Sequence, residues 1–71
     1  MSTEITAPMP GKVFKILVSV GEQVGEDDEI MTLEAMKMEN PIYSTATGSI
    51  QEIRIKEGEE VSVDQVLAVL G

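Results

Sequence analysis

Lys37 lies in the run Leu33-Glu34-Ala35-Met36-Lys37-Met38-Glu39-Asn40-Pro41, near the middle of a 71-residue chain. A methionine on either side is an unusual collar for a surface lysine. Such an amine has three possible uses. It can keep a turn soluble as a plain charged group. It can form a Schiff base, which requires a desolvated pocket around it. It can be acylated by a separate enzyme, for which a long aliphatic stem and free access suffice. Met36 and Met38 weigh against the first use, because side chains alternating with Leu33 and Ile42 cannot all be buried. A turn on a small acidic domain offers no pocket for the second. The third would make the chain a carrier whose chemistry is one attached group.

Nothing else in the sequence points to catalysis or to a metal. There is no histidine, the commonest general base near neutral pH and the commonest metal ligand. There is no cysteine, so thiolate chemistry, thiolate metal sites and disulfides are excluded. Thirteen acidic and five basic residues give a formal charge of −8. That sign disfavours nucleic acid and anionic membrane surfaces as partners. It suits a soluble, monomeric body, with a docking surface for basic partner sites as the lesser reading. No apolar stretch approaches the roughly 20 residues that span a bilayer. The N-terminal residues lack a basic-then-apolar signal pattern, and the expected location is the cytoplasm.

The elements that must position Lys37 are strands. Short runs rich in Val, Ile and Leu are separated by Gly and acidic turn residues, with no sustained helical stripe. Val13, Phe14, Ile16, Leu17 and Val18 mark one strand, interrupted by Lys12 and Lys15. Ile30–Leu33 leads up to the lysine, and 41–44 leads away from it. Ile50, Ile53 and Ile55 mark another strand, and 66–70 closes the chain. Lys12, Lys15 and Lys56 are expected within or beside strands rather than on a protruding turn.

The chain also repeats itself. Moved along by 37 positions, Gly11 falls on Gly48, Val13 on Ile50, Gly21-Glu22 on Gly58-Glu59, Val24 on Val61, Asp27 on Asp64 and Leu33 on Leu70. Matched glycines and branched residues imply the same turns and inward faces twice. Residues 1–71 are therefore read as one domain with internal halves of about 1–37 and 38–71. Each half is too small to bury its own apolar face, so the two should pack about a pseudo-twofold axis. The expected fold is all-β, a flattened barrel or sandwich of two antiparallel sheets. Lys37 then falls on a tight hairpin where one half passes into the other, and the termini lie at the opposite end.

With these residues in place, the chain resembles the biotinyl domain, the carboxyl carrier module of biotin-dependent carboxylases and decarboxylases. Glu34-Ala35-Met36-Lys37-Met38 matches that family's attachment signature without departure, and Ala7-Pro8-Met9-Pro10-Gly11 and Gly58-Glu59-x-Val61 also fit its pattern. The similarity runs from about Thr3 to Leu70. It implies a flattened barrel of eight strands, two four-stranded sheets, with Lys37 on the hairpin between the fourth and fifth. It implies that a biotin protein ligase joins biotin to Lys37 through an amide, with Glu34, Ala35, Met36 and Met38 around the site. The attached group would take up a carboxyl group as carboxybiotin at a biotin carboxylase or decarboxylase site and release it at a carboxyltransferase site. The domain itself would be non-catalytic. Lipoyl domains resemble this fold and also carry a modified hairpin lysine, which makes a lipoylated Lys37 the alternative. Their hairpins usually place Asp or Glu before the lysine and a small residue after it, where this chain has Met36 and Met38.

Some acetyl-CoA carboxylase carriers of this family have an extra loop, the thumb, between the second and third strands. Here 16–22 runs directly into Val24, leaving no room for it. The resemblance is thus to thumbless carriers of acyl-CoA carboxylases, pyruvate or oxaloacetate enzymes and transcarboxylase, either stand-alone or as part of a larger chain.

Overall fold

The computed structural model describes residues 2–71. Eight strands follow in order: β1 (Thr3–Thr6), β2 (Gly11–Ile16), β3 (Gln23–Val24), β4 (Glu29–Ala35), β5 (Met38–Tyr43), β6 (Gly48–Ile53), β7 (Glu60–Val61) and β8 (Val66–Leu70). They form two four-stranded antiparallel sheets, ordered β1-β8-β6-β3 and β5-β4-β2-β7. β2 and β3 are joined by residues 17–22, without an excursion from the body.

The offset of 37 governs the whole core. Ile5, Val13, Val18, Val24, Ile30, Met31 and Leu33 are buried, and so are their counterparts Ile42, Ile50, Ile55, Val61, Leu67, Ala68 and Leu70. The same offset carries one sheet's strand order onto the other's, which is the pseudo-twofold relation. The two expected antiparallel sheets are present, and the halves interleave within them, because each sheet takes two strands from each half. β1 completes the sheet built on β8 and β6, while β5 completes the one built on β4 and β2.

The strand boundaries also differ from expectation, for a physical reason. β2 ends at Ile16 and β6 at Ile53, so Val18 and Ile55 lie outside them yet remain buried. Both strands bulge before they end: the register slips between Val13 and Lys15, and between Ile50 and Glu52. A bulge bends its strand and sharpens the twist, so the chain turns over the end of the core and plugs it. Phe14, inside the first slip, is left 45% exposed.

Matched turns follow. Gly21 and Gly58 have φ of 93° and 90°, a conformation that costs glycine nothing. The glutamate after each locks its turn: Glu22 Oε1 accepts from the Ser19 N–H at 3.2 Å, and Glu59 Oε1 from the Lys56 N–H at 3.1 Å. The repeated Gly-Glu pair is thus one turn device used twice. Asp27 and Asp64 also have positive φ, 73° and 67°, and their N–H groups donate to Ser44 O and Ala7 O at 2.8 and 2.7 Å.

Candidate functional site

Lys37 owes its position to one hairpin. β4 and β5 pair through Thr32↔Pro41, Leu33↔Asn40, Glu34↔Glu39 and Ala35↔Met38, which leaves Met36 and Lys37 as the entire loop. Their φ angles are 55° and 62°. Two-residue loops with both residues at positive φ suit the right-handed twist of the flanking strands, and they are normally built from Asn and Gly. Left-handed backbone costs other residues roughly 1–2 kcal/mol each. Strain of this kind persists where the surrounding structure over-determines it. Here the ladder below the loop does so.

Residues opposite one another in a sheet share a face. On the inner face Leu33 and Ile42 are buried and Asn40 is half-buried. Met38 continues that face beyond the end of the core and is 65% exposed, while Met36 in the loop is 92% exposed. Lys37 is exposed between them. Asn40 sits where alternation calls for an apolar side chain. Its Nδ2 donates to Met38 O at 3.2 Å and to Ala35 O at 3.5 Å, the carbonyls on either side of the loop. One amide thereby braces both arms of the strained turn.

The outer face is charged. Glu39, Glu34, Lys12 and Glu60 follow one another across β5, β4, β2 and β7. Like charges directly opposed, as Glu34 and Glu39 are, destabilise a strand pair. Among the described residues the ion pair is Arg54–Glu52, away from this row. Gly11 lets β2 approach the hairpin's arm: a Cβ there would lie 2.8 Å from Glu34 O. An open groove lies alongside, lined by Pro10, Gly11, Lys12, Glu34, Met36 and Glu60 among others.

The far end of the molecule holds the termini. β4 runs from Glu29 to Ala35, and at its Glu29 end Asp28 O accepts from the Ser44 N–H at 2.8 Å. Close by, Val24 pairs with Gly48, whose place for a Cβ is 2.8 Å from Gly71 O. Thr3 pairs with Leu70. Seven residues of strand, about 20 Å, thus separate the chain's ends from the lysine loop.

Glu34, Ala35, Met36, Lys37 and Met38 are brought together by this hairpin. Lys12 and Lys15 lie in β2. Lys56 departs from its expected place, since it opens the Gly58 turn, where its N–H is tied to Glu59. Lys37 lines neither the groove beside Gly11 nor a second one bordered by Ile5, Pro8, Ile42 and Tyr43. No group of three or more potential metal-ligating side chains occurs among the described residues either. The arrangement offers an amine to a partner and encloses nothing. It fits a covalently attached group, which needs a reachable Nζ and no cavity. The motif alone gives Asn40 no role; its polar side chain at an inward strand position is the signal that marks it.

Residues 3–70 match the family model described as "Biotin-requiring enzyme". The chain is 42% identical over 64 residues to the biotin carboxyl carrier protein of Streptococcus mutans, covering 90% of this chain and 49% of that one. It is 45% identical over 58 residues to the methylcrotonoyl-CoA carboxylase subunit alpha of Arabidopsis thaliana, covering 82% of this chain and 8% of that one. It is 37% identical over 65 residues to the pyruvate carboxylase of Bacillus subtilis, covering 92% and 6%. Its fold superposes on the urea carboxylase of Kluyveromyces lactis with a TM-score of 0.94 and 27% identity, covering 100% of this chain and 6% of that one. The chain thus spans about half, or far less, of the length of these relatives.

Proposed function

The chain belongs to the biotin-requiring enzyme family, and from that premise we propose that it is a carboxyl carrier, with Lys37 as its attachment point. When bound, biotin supplies a ureido nitrogen that takes up and gives off a carboxyl group. The chain's own residues supply presentation. The β4–β5 ladder holds the Met36–Lys37 loop at positive φ, and Asn40 braces its arms. The Lys37 amine, the nucleophile in amide formation, is left reachable from solvent. The observation that carries the reading is that a single lysine occupies a protruding two-residue loop, at the end of the molecule remote from its termini.

The partners on this reading are a biotin protein ligase and the carboxylase and carboxyltransferase sites of the parent enzyme. The domain performs no catalysis itself, in keeping with the lack of His and Cys. A tether of fixed length raises the effective concentration of the attached group at both sites. The relatives include a biotin carboxyl carrier protein and carboxylases, and with Met36 and Met38 in place of a lipoyl-type acid and small residue this supports biotin over lipoate.

Incubation with a biotin protein ligase, ATP and biotin tests the reading. Intact mass should rise by one biotinyl group, and peptide mapping should locate it on Lys37. Lys37→Arg should fold normally and take up none. Stoichiometric labelling of Lys37→Arg would refute the assignment. Loaded protein given a biotin carboxylase, ATP, Mg²⁺ and labelled bicarbonate should retain label that Lys37→Ala does not.

A further inference from the structure

Met36 has no part in holding the fold together: its side chain is 92% exposed and its backbone conformation is one that methionine adopts only at a cost. Met38 is 65% exposed. Met31, by contrast, is fully buried in the core, and Met9 is half-buried. A thioether in water is open to peroxide, whereas one packed in a core is shielded until the core opens. Among the described residues, the two exposed thioethers are the immediate neighbours of the loop lysine.

We propose that Met36, followed by Met38, is a reversible oxidation site that turns down the loading of Lys37 under peroxide stress; this rests on the reading of Lys37 as the attachment point. In the step, a thioether sulfur attacks one oxygen of hydrogen peroxide. The O–O bond breaks, an S=O bond forms, and the departing hydroxide leaves as water after proton transfer. Sulfur loses two electrons and the peroxide gains them. The product is polar and chiral where the thioether was apolar and pliant. Since the Met36 side chain is almost wholly exposed, the change falls mainly on whatever approaches Lys37. A ligase that buries these thioethers while it reaches the amine must desolvate a sulfoxide instead. A thiol-dependent methionine sulfoxide reductase restores the starting state.

The experiment treats the apo protein with graded hydrogen peroxide, maps each methionine by mass, and measures initial rates of biotin transfer by a biotin protein ligase after the peroxide is removed. Met36 should gain oxygen first, Met38 next and Met31 last. The melting temperature should be unchanged when only the first two are oxidised. Ligase efficiency should then fall about tenfold, the effect of losing part of one side chain's apolar burial. Reductase treatment should restore it. In the double variant Met36→Leu/Met38→Leu, the ratio of rates with and without peroxide should return to one. Oxidation of Met31 as readily as Met36, or an unchanged rate with Met36 and Met38 fully oxidised, would overturn the proposal. Untreated protein that acquires no biotin would overturn the attachment reading, and this proposal with it.

Discussion

Two residues at positive φ set the terms at Lys37. The sequence marks the lysine by its methionine collar and its place at the repeat boundary, but it gives no sign that the backbone there is left-handed. Met and Lys are not residues that announce such a turn, since Asn and Gly normally do. Exchanging the order, Met36→Lys with Lys37→Met, keeps composition and φ values but sends the amine off in a different direction. Loading should fall by about a hundredfold, the cost that misplacement of a reacting atom by about 1 Å can carry. Circular dichroism should be unaltered. Equal labelling rates would show that exposure alone suffices. Met36→Asn should act in the opposite sense on stability. Asparagine tolerates positive φ, so the variant should gain about 0.5–1 kcal/mol, read from chemical denaturation, while losing one of the thioethers beside the amine.

At the scale of the element, the hairpin and the matched turns were legible to different degrees. The hairpin followed from apolar runs on either side of the lysine, and the turns from Gly21-Glu22 and Gly58-Glu59. Hidden from a reading by alternation were the bulges. Ile30 and Met31 are buried in succession across the slip of β4 between Glu29 and Met31, and Thr32 is buried at the β2 bulge, where its Oγ1 accepts from the Lys15 N–H at 3.2 Å. Phe14 reads as an ordinary strand residue and lies in a bulge instead. No period of two survives such a slip. Asn40 was hidden because its role depends on carbonyls brought near by pairing. Removing its amide in Asn40→Ala should cost about 1 kcal/mol, as loss of a side-chain hydrogen bond does, and should slow ligation more than it lowers the melting temperature. Gly21→Val and Gly58→Val should each cost about 1–2 kcal/mol, chiefly through φ, because no atom outside the adjacent residues lies within 4 Å of either added Cβ. In a domain this size each should lower the melting temperature by about 4–8 °C per kcal/mol, and by similar amounts at the two sites. A large difference between the two melts would break the equivalence of the turns.

At the scale of the molecule, the pseudo-twofold axis was visible in the sequence, but not the interleaving of the halves. Offsets of residues report which positions are equivalent and are silent on which strands become neighbours. Because each sheet draws on both halves, peptides spanning 2–37 and 38–71 should be unfolded alone and should recover β structure on mixing. Folding of either peptide by itself, seen by circular dichroism, would contradict the interleaved arrangement. The body measures 33 × 17 × 17 Å, and amide formation at Lys37 takes one positive charge from it, so loaded protein should migrate further toward the anode in native electrophoresis. The pairing of Thr3 with Leu70 has a topological consequence. Paired Cα atoms in antiparallel strands lie about 4.5–5.5 Å apart, so a linker of about four residues could join the two ends into a ring. Such a ring, reopened by a cut between Gly21 and Glu22, would be a circular permutant in which β8 runs on into β1 and the lysine loop follows the new N-terminus after β3 and β4.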